Sequence, residues 1–148
     1  MNKLAGKSKE KTSKAGSSLP LEHVAIIMDG NRRWAKSRAM PGAQGHKKGV
    51  ASLKRMVKYA GEIGLKYLTV YAFSSENWQR KEEEVKYLLK LFSEVLRDEF
   101  TELSENRVRL RFIGDLSRMP ASLKDSMFDS MEQSRNNTGL NLQVAINY

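Results

Sequence analysis

Apolar residues along the chain recur with two different spacings, and stretches of the two kinds alternate. Short apolar or alternating runs predict β-strands at 24–28, 65–73, 107–113 and 140–147, and the first run is expected to be fully buried. Apolar residues three and four positions apart predict helices from 46 to 61, from 81 to 104, and from Pro120 onward. This order predicts an α/β fold: a parallel doubly wound sheet with flanking helices.

Two polar stretches, 30–45 and 74–80, follow predicted strands and are expected to be loops. Because parallel strands end at one edge of a sheet, we expect both loops at the edge where open α/β sheets bind ligands. The helix predicted at 81–104 carries an apolar stripe, which normally packs as core and can also line a pocket for an apolar substrate. The stripe consists of Val85, Leu88, Leu89, Phe92, Val95, Leu96, Phe100 and Leu103.

The composition bounds the class of protein. The 148 residues are enough for one domain with its own core. There is no cysteine, which excludes disulfides and thiolate metal sites, and two histidines argue against a histidine-rich zinc centre. Residues 1–19 are almost free of apolar side chains, so we predict a disordered basic tail before a domain at 20–148. No apolar run approaches the roughly 20 residues of a membrane span, so we expect a cytoplasmic protein.

The net charge of +9 is concentrated in two segments. Residues 1–20 carry five lysines against one glutamate, or +4, and residues 28–58 carry nine lysines and arginines against Asp29, or +8. The remaining residues therefore carry −3. A basic segment inside a folded domain predicts an anionic ligand, and nucleic acid, phosphorylated metabolites and anionic lipid all stay open at this point.

The first candidate site follows the first predicted strand. Asp29 lies where the strand gives way to a loop, and a carboxylate there can hold Mg²⁺ together with a substrate phosphate. Gly30 lets backbone N–H groups approach phosphate oxygens, to which Arg32 and Arg33 can donate charge-assisted hydrogen bonds. The alternative is a solvated turn capped by its aspartate. The two arginines and the following Trp34 favour a diphosphate site.

The second candidate site follows the second predicted strand. Ser74 and Ser75 offer hydroxyl groups, Asn77 an amide, and Arg80 a cation. A tryptophan in an exposed loop, here Trp78, is explained by packing against a ligand or a lid. The alternative is structural, with Ser74 or Ser75 as a helix cap and Trp78 in the core.

A third and weaker candidate is the segment 45–49, Gly-His-Lys-Lys-Gly. It fits a helix N-terminus directed at a phosphate group. His46 fits equally well as a packing residue.

From residue 23 to residue 148, the chain resembles the cis-prenyltransferase family, the isoprenyl transferases typified by undecaprenyl diphosphate synthase. The resemblance rests on two long motifs in the right order and spacing, HVAIIMDGNRRWAK at 23–36 and YAFSSENW at 71–78. Shorter matches are Gly45-His46 and the segments 106–110, 113–115, 137–140 and 145–148.

The resemblance implies a Mg²⁺-dependent transferase that condenses isopentenyl diphosphate onto an allylic diphosphate such as farnesyl diphosphate, forming cis double bonds. It further implies a homodimer when the protein is full length, no nucleic-acid partner, and peripheral membrane contact through the lipid product. Because the family continues well beyond the residue matched by Tyr148, we expect the segment 20–148 to be the N-terminal portion of one such domain. It would carry the allylic half-site and lack most of the isopentenyl diphosphate site.

The resemblance also assigns roles to individual residues by position. Asp29 handles the Mg²⁺-diphosphate, and Asn77 accepts the proton or positions its acceptor. An amide is weakly basic, so the released diphosphate is an alternative acceptor. The apolar helix face of residues 85–103 would wall a tunnel for the growing chain. Substrate binding is assigned to Gly30, Asn31, Arg32, Arg33, Trp34, His46, Ser74, Ser75, Glu76, Trp78 and Arg80.

One position departs from the family pattern. Gly42 stands where many members have an arginine, three residues before the Gly45-His46 pair. One diphosphate contact therefore stays open, and Arg38 is a candidate to replace it.

Two other classes of function remain as alternatives. The first is a truncated, non-catalytic protein that binds an allylic diphosphate or pairs with a complete subunit. The lack of the family's C-terminal half favours it, and the metal-type carboxylate of Asp29 disfavours it. The second is a nucleic-acid binder, suggested by charge alone, and it is disfavoured because the strand–loop motifs lack an element that would read bases.

Overall fold

Four parallel strands form one sheet in the computed structural model, which describes residues 20–148. The strands are β1 (His23–Ile27), β2 (Tyr67–Phe73), β3 (Arg109–Ile113) and β4 (Asn141–Ile146), in the spatial order β1-β2-β4-β3. The helices are α1 (Asn31–Lys36), α2 (Gly42–Glu62), α3 (Glu82–Glu105) and α4 (Ala121–Gln133), with a 3₁₀ turn at Ser75–Gln79. The predicted α/β fold, a parallel sheet with flanking helices, is confirmed.

The core lies on one face of the sheet, because alternate strand residues point to that face. The residues that the strands bury there include Leu68, Val70, Leu110, Phe112, Leu142 and Val144. The helix after Pro120 is confirmed: Leu123 and Met127 of α4 are buried, and Met131 packs against the same cluster. The sheet and its helices therefore hold the carboxyl ends of the strands in fixed register.

The first strand is less buried than its composition predicts. Residues 24–27 of β1 are all apolar, yet within residues 20–148 β1 pairs with β2 alone and forms one edge of the sheet. Ala25 and Ile27 point away from the core, and Ile27 remains 72% exposed. The expectation of full burial was wrong for this part of the chain, because strand order decides burial and is not encoded in one strand's composition.

The predicted loop at 30–45 is also incorrect. It contains the short helix α1 and the first turn of α2, which begins at Gly42 rather than at residue 46. Helix α1 has six residues and buries one of them, Ala35, so it leaves no apolar period in the sequence.

The predicted loop at 74–80 holds the 3₁₀ turn, and the long helix predicted at 81–104 is confirmed as α3. Among the described residues, no helix has the length and apolarity needed to cross a bilayer. The predicted disordered tail, residues 1–19, lies outside the residues that the structure describes.

Candidate active site

Two loops with polar side chains meet at the carboxyl edge of the sheet. β1 and β2 are parallel neighbours with Ile27 opposite Tyr71, and the N–H of Met28 donates to the carbonyl oxygen of Tyr71 at 3.3 Å. The loop that begins with Asp29 therefore emerges beside the loop that begins with Ser74. This confirms that the two candidate motifs share one edge, where ligands of open α/β sheets bind.

Asp29 presents its carboxylate to solvent at this edge, with its side chain 75% exposed. One oxygen accepts a hydrogen bond from the N–H of Gly30, and the other lies 2.9 Å from Nη2 of Arg33. Gly30 has φ of +86°, a left-handed conformation that glycine adopts without strain, and it starts helix α1. Asp29 is thus an accessible anion held by local contacts.

Asn31 lies against two glycines of α2. A Cβ atom on Gly45 would lie 2.1 Å from the carbonyl oxygen of Asn31, and one on Gly49 would lie 2.6 Å from its Oδ1. For the segment 45–49, a helix N-terminus directed at phosphate was one of two interpretations. The helix begins earlier, at Gly42, so Gly45 and Gly49 lie inside α2, where they let α1 pack closely onto it.

One carboxylate that the sequence did not single out, Glu84 on α3, faces three predicted site residues. Its oxygens lie 2.6 Å from Nη1 of Arg80, 3.4 Å from Nη1 of Arg32 and 3.8 Å from Nε2 of His46. The spacing from Arg80 to Glu84 is that of an i,i+4 pair, and this was the available sequence signal. The structure therefore brings Arg32, His46 and Arg80 together.

Burial and charge shape the titration of this cluster. Desolvation, helped by the positive charge of Arg80, lowers the pKa of His46 below its usual range, so the imidazole is neutral near pH 7. Its Nε2 is buried without a hydrogen-bond partner among the described residues. For Glu84, burial raises the pKa, but the hydrogen bond and charge of Arg80 together with Arg32 outweigh that effect and hold the pKa below its usual range. The cluster is a carboxylate, two guanidinium groups and a neutral imidazole.

The 3₁₀ turn after β2 is closed by a side chain. Oδ1 of Asn77 accepts the N–H of Ser74 at 3.1 Å, while Ser75 and Glu76 are exposed. The geometry agrees with the structural alternative in which Ser74 caps the turn. The predicted proton role of Asn77 stays a prediction, and one lone pair of its carbonyl oxygen is already used.

Trp78 is anchored on three sides. Its Nε1 donates to Oδ1 of Asn147 at 2.8 Å, its ring meets Phe73 edge to face at 5.1 Å, and Arg118 lies over it at 4.2 Å. Asn147 also donates through Nδ2 to the carbonyl oxygen of Asp115 at 2.7 Å. Asn147, which the sequence analysis did not assign to the site, ties the loops after β2, β3 and β4 together. The predicted substrate contact of Trp78 stays a prediction.

Gly42, the position that departs from the family pattern, lies beside Arg32. A Cβ atom on Gly42 would lie 3.7 Å from Cγ of Arg32. Arg38 instead stacks on Trp34, with its guanidinium carbon 4.3 Å from the ring centre. The side chain beside Gly42 is therefore that of Arg32, and compensation by Arg38 stays a prediction.

An apolar cavity of about 490 Å³ opens beside these groups. Four predicted site residues line it, Asn31, His46, Asn77 and Arg80, and we call the part that they line its polar end. Charged side chains of α2 and α3, including Lys54, Lys58, Glu99 and Glu102, line it as well. Its walls come from the sheet and from two helices, with Val50, Leu53 and Val57 on α2 and Leu88, Leu89, Phe92, Val95 and Leu96 on α3. The stripe on α3 thus lines a cavity as well as packing against the core, which is the pocket alternative stated for it.

Whether the site can hold a metal ion depends on the ligand atoms that its side chains offer. Among residues 20–148, no three His, Cys, Asp or Glu side chains cluster in a way that would hold a metal ion. Mg²⁺, however, is commonly bound by one or two carboxylates together with water and substrate phosphate. The exposed carboxylate of Asp29 fits that mode, with a bound diphosphate supplying further oxygen ligands.

Comparisons with known proteins agree with this arrangement. Residues 27–148 match the family model described as "Putative undecaprenyl diphosphate synthase". An isoprenyl transferase of Clostridium perfringens is 50% identical over 127 residues, which cover 86% of this chain and 50% of that protein. A ditrans,polycis-undecaprenyl-diphosphate synthase of Micrococcus luteus, described as (2E,6E)-farnesyl-diphosphate specific, is 45% identical over 127 residues, 86% of this chain and 51% of that protein.

The fold also matches that of a solved structure. Lavandulyl diphosphate synthase from Lavandula x intermedia, in complex with dimethylallyl diphosphate, superimposes with a TM-score of 0.82 at 36% identity, covering 86% of this chain and 55% of that one. The chain spans about half the length of the curated relatives it matches. The family model matches residues 27–148, the fold is shared with a solved member structure, and the two motifs meet at one edge of the sheet. The chain belongs to the undecaprenyl diphosphate synthase family of cis-prenyltransferases.

Proposed function

We propose that this chain forms the allylic-diphosphate-binding part of a Mg²⁺-dependent cis-prenyltransferase that condenses isopentenyl diphosphate onto an allylic diphosphate of the farnesyl type. One observation carries the proposal: an apolar cavity of about 490 Å³ is lined by Asn31, His46, Asn77 and Arg80 together with many apolar side chains. An amphiphile with an isoprenoid chain and a diphosphate head matches such a cavity, because its chain removes apolar surface from water while its head meets cations.

The chemistry requires charge stabilisation at the polar end. The bond between the allylic carbon and its diphosphate oxygen breaks, a new bond forms to the terminal alkene carbon of isopentenyl diphosphate, and a proton leaves the adduct. Negative charge grows on the departing diphosphate, and preorganised cations stabilise it. Arg80 lines the cavity and supplies positive charge there, and Arg32 adds a second cation beside the same Glu84 carboxylate that Arg80 contacts. Mg²⁺ held by Asp29 would add Lewis-acid stabilisation of the same leaving group.

The last step to assign is the transfer of the proton that leaves the adduct. Asn77 lines the cavity, and its Oδ1 already accepts the N–H of Ser74. We propose that Asn77 fixes the turn that carries the second motif, and that a diphosphate oxygen takes the proton. The isopentenyl diphosphate partner, the homodimer, peripheral membrane contact and a cytoplasmic location stay predictions of the family resemblance.

The experiment that tests the proposal measures binding before turnover. The sequence has two tryptophans, Trp34 and Trp78, one in each motif, so farnesyl diphosphate should change the intrinsic fluorescence of the 148-residue chain. We expect Mg²⁺ to increase its affinity and Asp29→Ala to remove that increase. Asp125→Ala, an exposed aspartate on α4, is the matched control and should behave as wild type.

Turnover separates the catalytic proposal from its alternative. With labelled isopentenyl diphosphate, chain-extended product supports the enzyme. Specific binding without product supports a non-catalytic allylic-diphosphate protein. Absence of binding by wild type, with the control chain folded, refutes both.

A further inference from the structure

We propose that Glu84 is a positioning residue of the diphosphate site, which holds Arg80 and Arg32 in place from the side away from the apolar cavity. The inference rests on the proposed function and adds a residue to it. Glu84 is the shared neighbour of three side chains, each from a different place in the fold. Arg32 is on α1, His46 is on α2, Arg80 follows the 3₁₀ turn, and Glu84 is on α3.

The location of Glu84 supports positioning rather than direct contact with the alkyl chain. His46 and Arg80 line the apolar cavity, whereas Glu84 lines a separate outer recess with Arg32, Gly42, Ala43, His46, Glu83 and Tyr87. The carboxylate is 21% exposed, so its ion pairs are shielded in part from solvent. Glu84 therefore stands behind His46 and Arg80 as seen from the cavity.

Arg32 and Arg80 keep N–H donors that Glu84 does not use and that can bind a phosphate group. Each guanidinium group has five N–H donors, and Glu84 meets each of the two through Nη1. The remaining donors are available to phosphate oxygens in a fixed orientation. Two guanidinium groups against one carboxylate leave a net positive charge, which a diphosphate can neutralise.

Removing the carboxylate should release both arginines. Without Glu84, the two guanidinium groups repel each other, and each side chain regains rotamer freedom that binding must remove again. A diphosphate would then bind more weakly, while the apolar part of the cavity keeps its lining. The effect should therefore depend on the ligand's head group.

The test compares Glu84→Gln with Glu82→Gln in the 148-residue chain, with farnesyl diphosphate and farnesol as ligands. Glu82 is a matched control, because it lies in the same first turn of α3 and pairs with exposed Lys86 at i,i+4. We expect Glu84→Gln to weaken farnesyl diphosphate binding by about tenfold or more, the scale of a charge-assisted hydrogen bond, and to leave farnesol binding unchanged. Glu82→Gln should match wild type for both ligands.

A double-mutant cycle with Arg80→Gln tests the route of the effect. If Glu84 acts through Arg80, the Glu84→Gln change should have little further effect once Arg80 is replaced. Glu84→Asp, which keeps the charge on a shorter side chain, should give an intermediate affinity and supplies the comparison if Glu84→Gln does not fold.

The outcomes are distinct. Wild type that binds no farnesyl diphosphate overturns the proposed function itself. Wild type that binds, with Glu84→Gln and Glu84→Asp binding equally well or more tightly, overturns the positioning role alone. Equal loss of farnesyl diphosphate and farnesol binding also overturns it, because that pattern reports damage to the fold.

Discussion

The packing of α1 on α2 gives a sharp prediction at Gly45. In Gly45→Ala, the new Cβ would lie 2.1 Å from the carbonyl oxygen of Asn31, and a tolerable separation is at least 3.0 Å. Helix α1 would have to move by about 0.9 Å, from 2.1 to 3.0 Å, and the obstructing atom belongs to the backbone and cannot rotate away. Overpacking of this kind costs about 1–3 kcal/mol. Because Asn31 also lines the polar end of the cavity, the same shift should weaken farnesyl diphosphate binding.

Gly61→Ala is the matched control for that substitution. Gly61 lies in the same helix, and a Cβ there would meet nothing within 4 Å. Both variants gain helix propensity, so the difference between their free energies of unfolding isolates the clash. Urea unfolding followed by circular dichroism should place Gly45→Ala about 1–3 kcal/mol below Gly61→Ala. Equal stability of the two variants would refute the close approach of α1 to α2.

Other predictions concern stability, the loops and pH. Ser134→Ala should lower the free energy of unfolding by about 1–3 kcal/mol in urea titrations, because buried Ser134 Oγ accepts the N–H of Leu110 at 3.0 Å; an unchanged midpoint would contradict this. Asn147→Ala should free the Trp78 indole and shift its fluorescence to the red, whereas Asn141→Ala, at the other end of β4, should not. Because the folded-state pKa of His46 is lowered, wild type should lose stability relative to His46→Gln as pH falls below about 6.5. Parallel pH profiles would refute the burial argument.

The regular part of the fold could be predicted because its residues repeat their pattern. The alternation of Leu140, Leu142 and Val144 predicts β4, and Pro120 predicts the start of α4. Helix α1 could not be predicted from the same signal, since Ala35 is its one buried residue. The exposure of β1 depends on strand order, which local sequence does not contain.

The parts of the candidate site that lie in continuous sequence motifs could be predicted. The contacts between residues distant in the sequence could not. Asp29 and Asn77 lie in motifs that follow strands, so the shared edge could be inferred. Glu84 contacts His46 from another helix, and Asn147 reaches Trp78 across 69 positions of the sequence. Such contacts depend on the tertiary arrangement of the helices and loops.

The cavity between α2 and α3 affects the stability of the protein. Protein interiors normally fill at crystal-like density, whereas here Leu53 of α2 and Val95 of α3 both line an open cavity. Substitutions that fill this space, such as Leu53→Phe, should therefore raise the melting temperature while excluding the isoprenoid chain. Under the proposed function, a bound substrate fills this space with its isoprenoid chain. At one hundred times its Kd, it would add about 2.7 kcal/mol of stability. Release of a bound ligand would then return the molecule to its less stable, unliganded form.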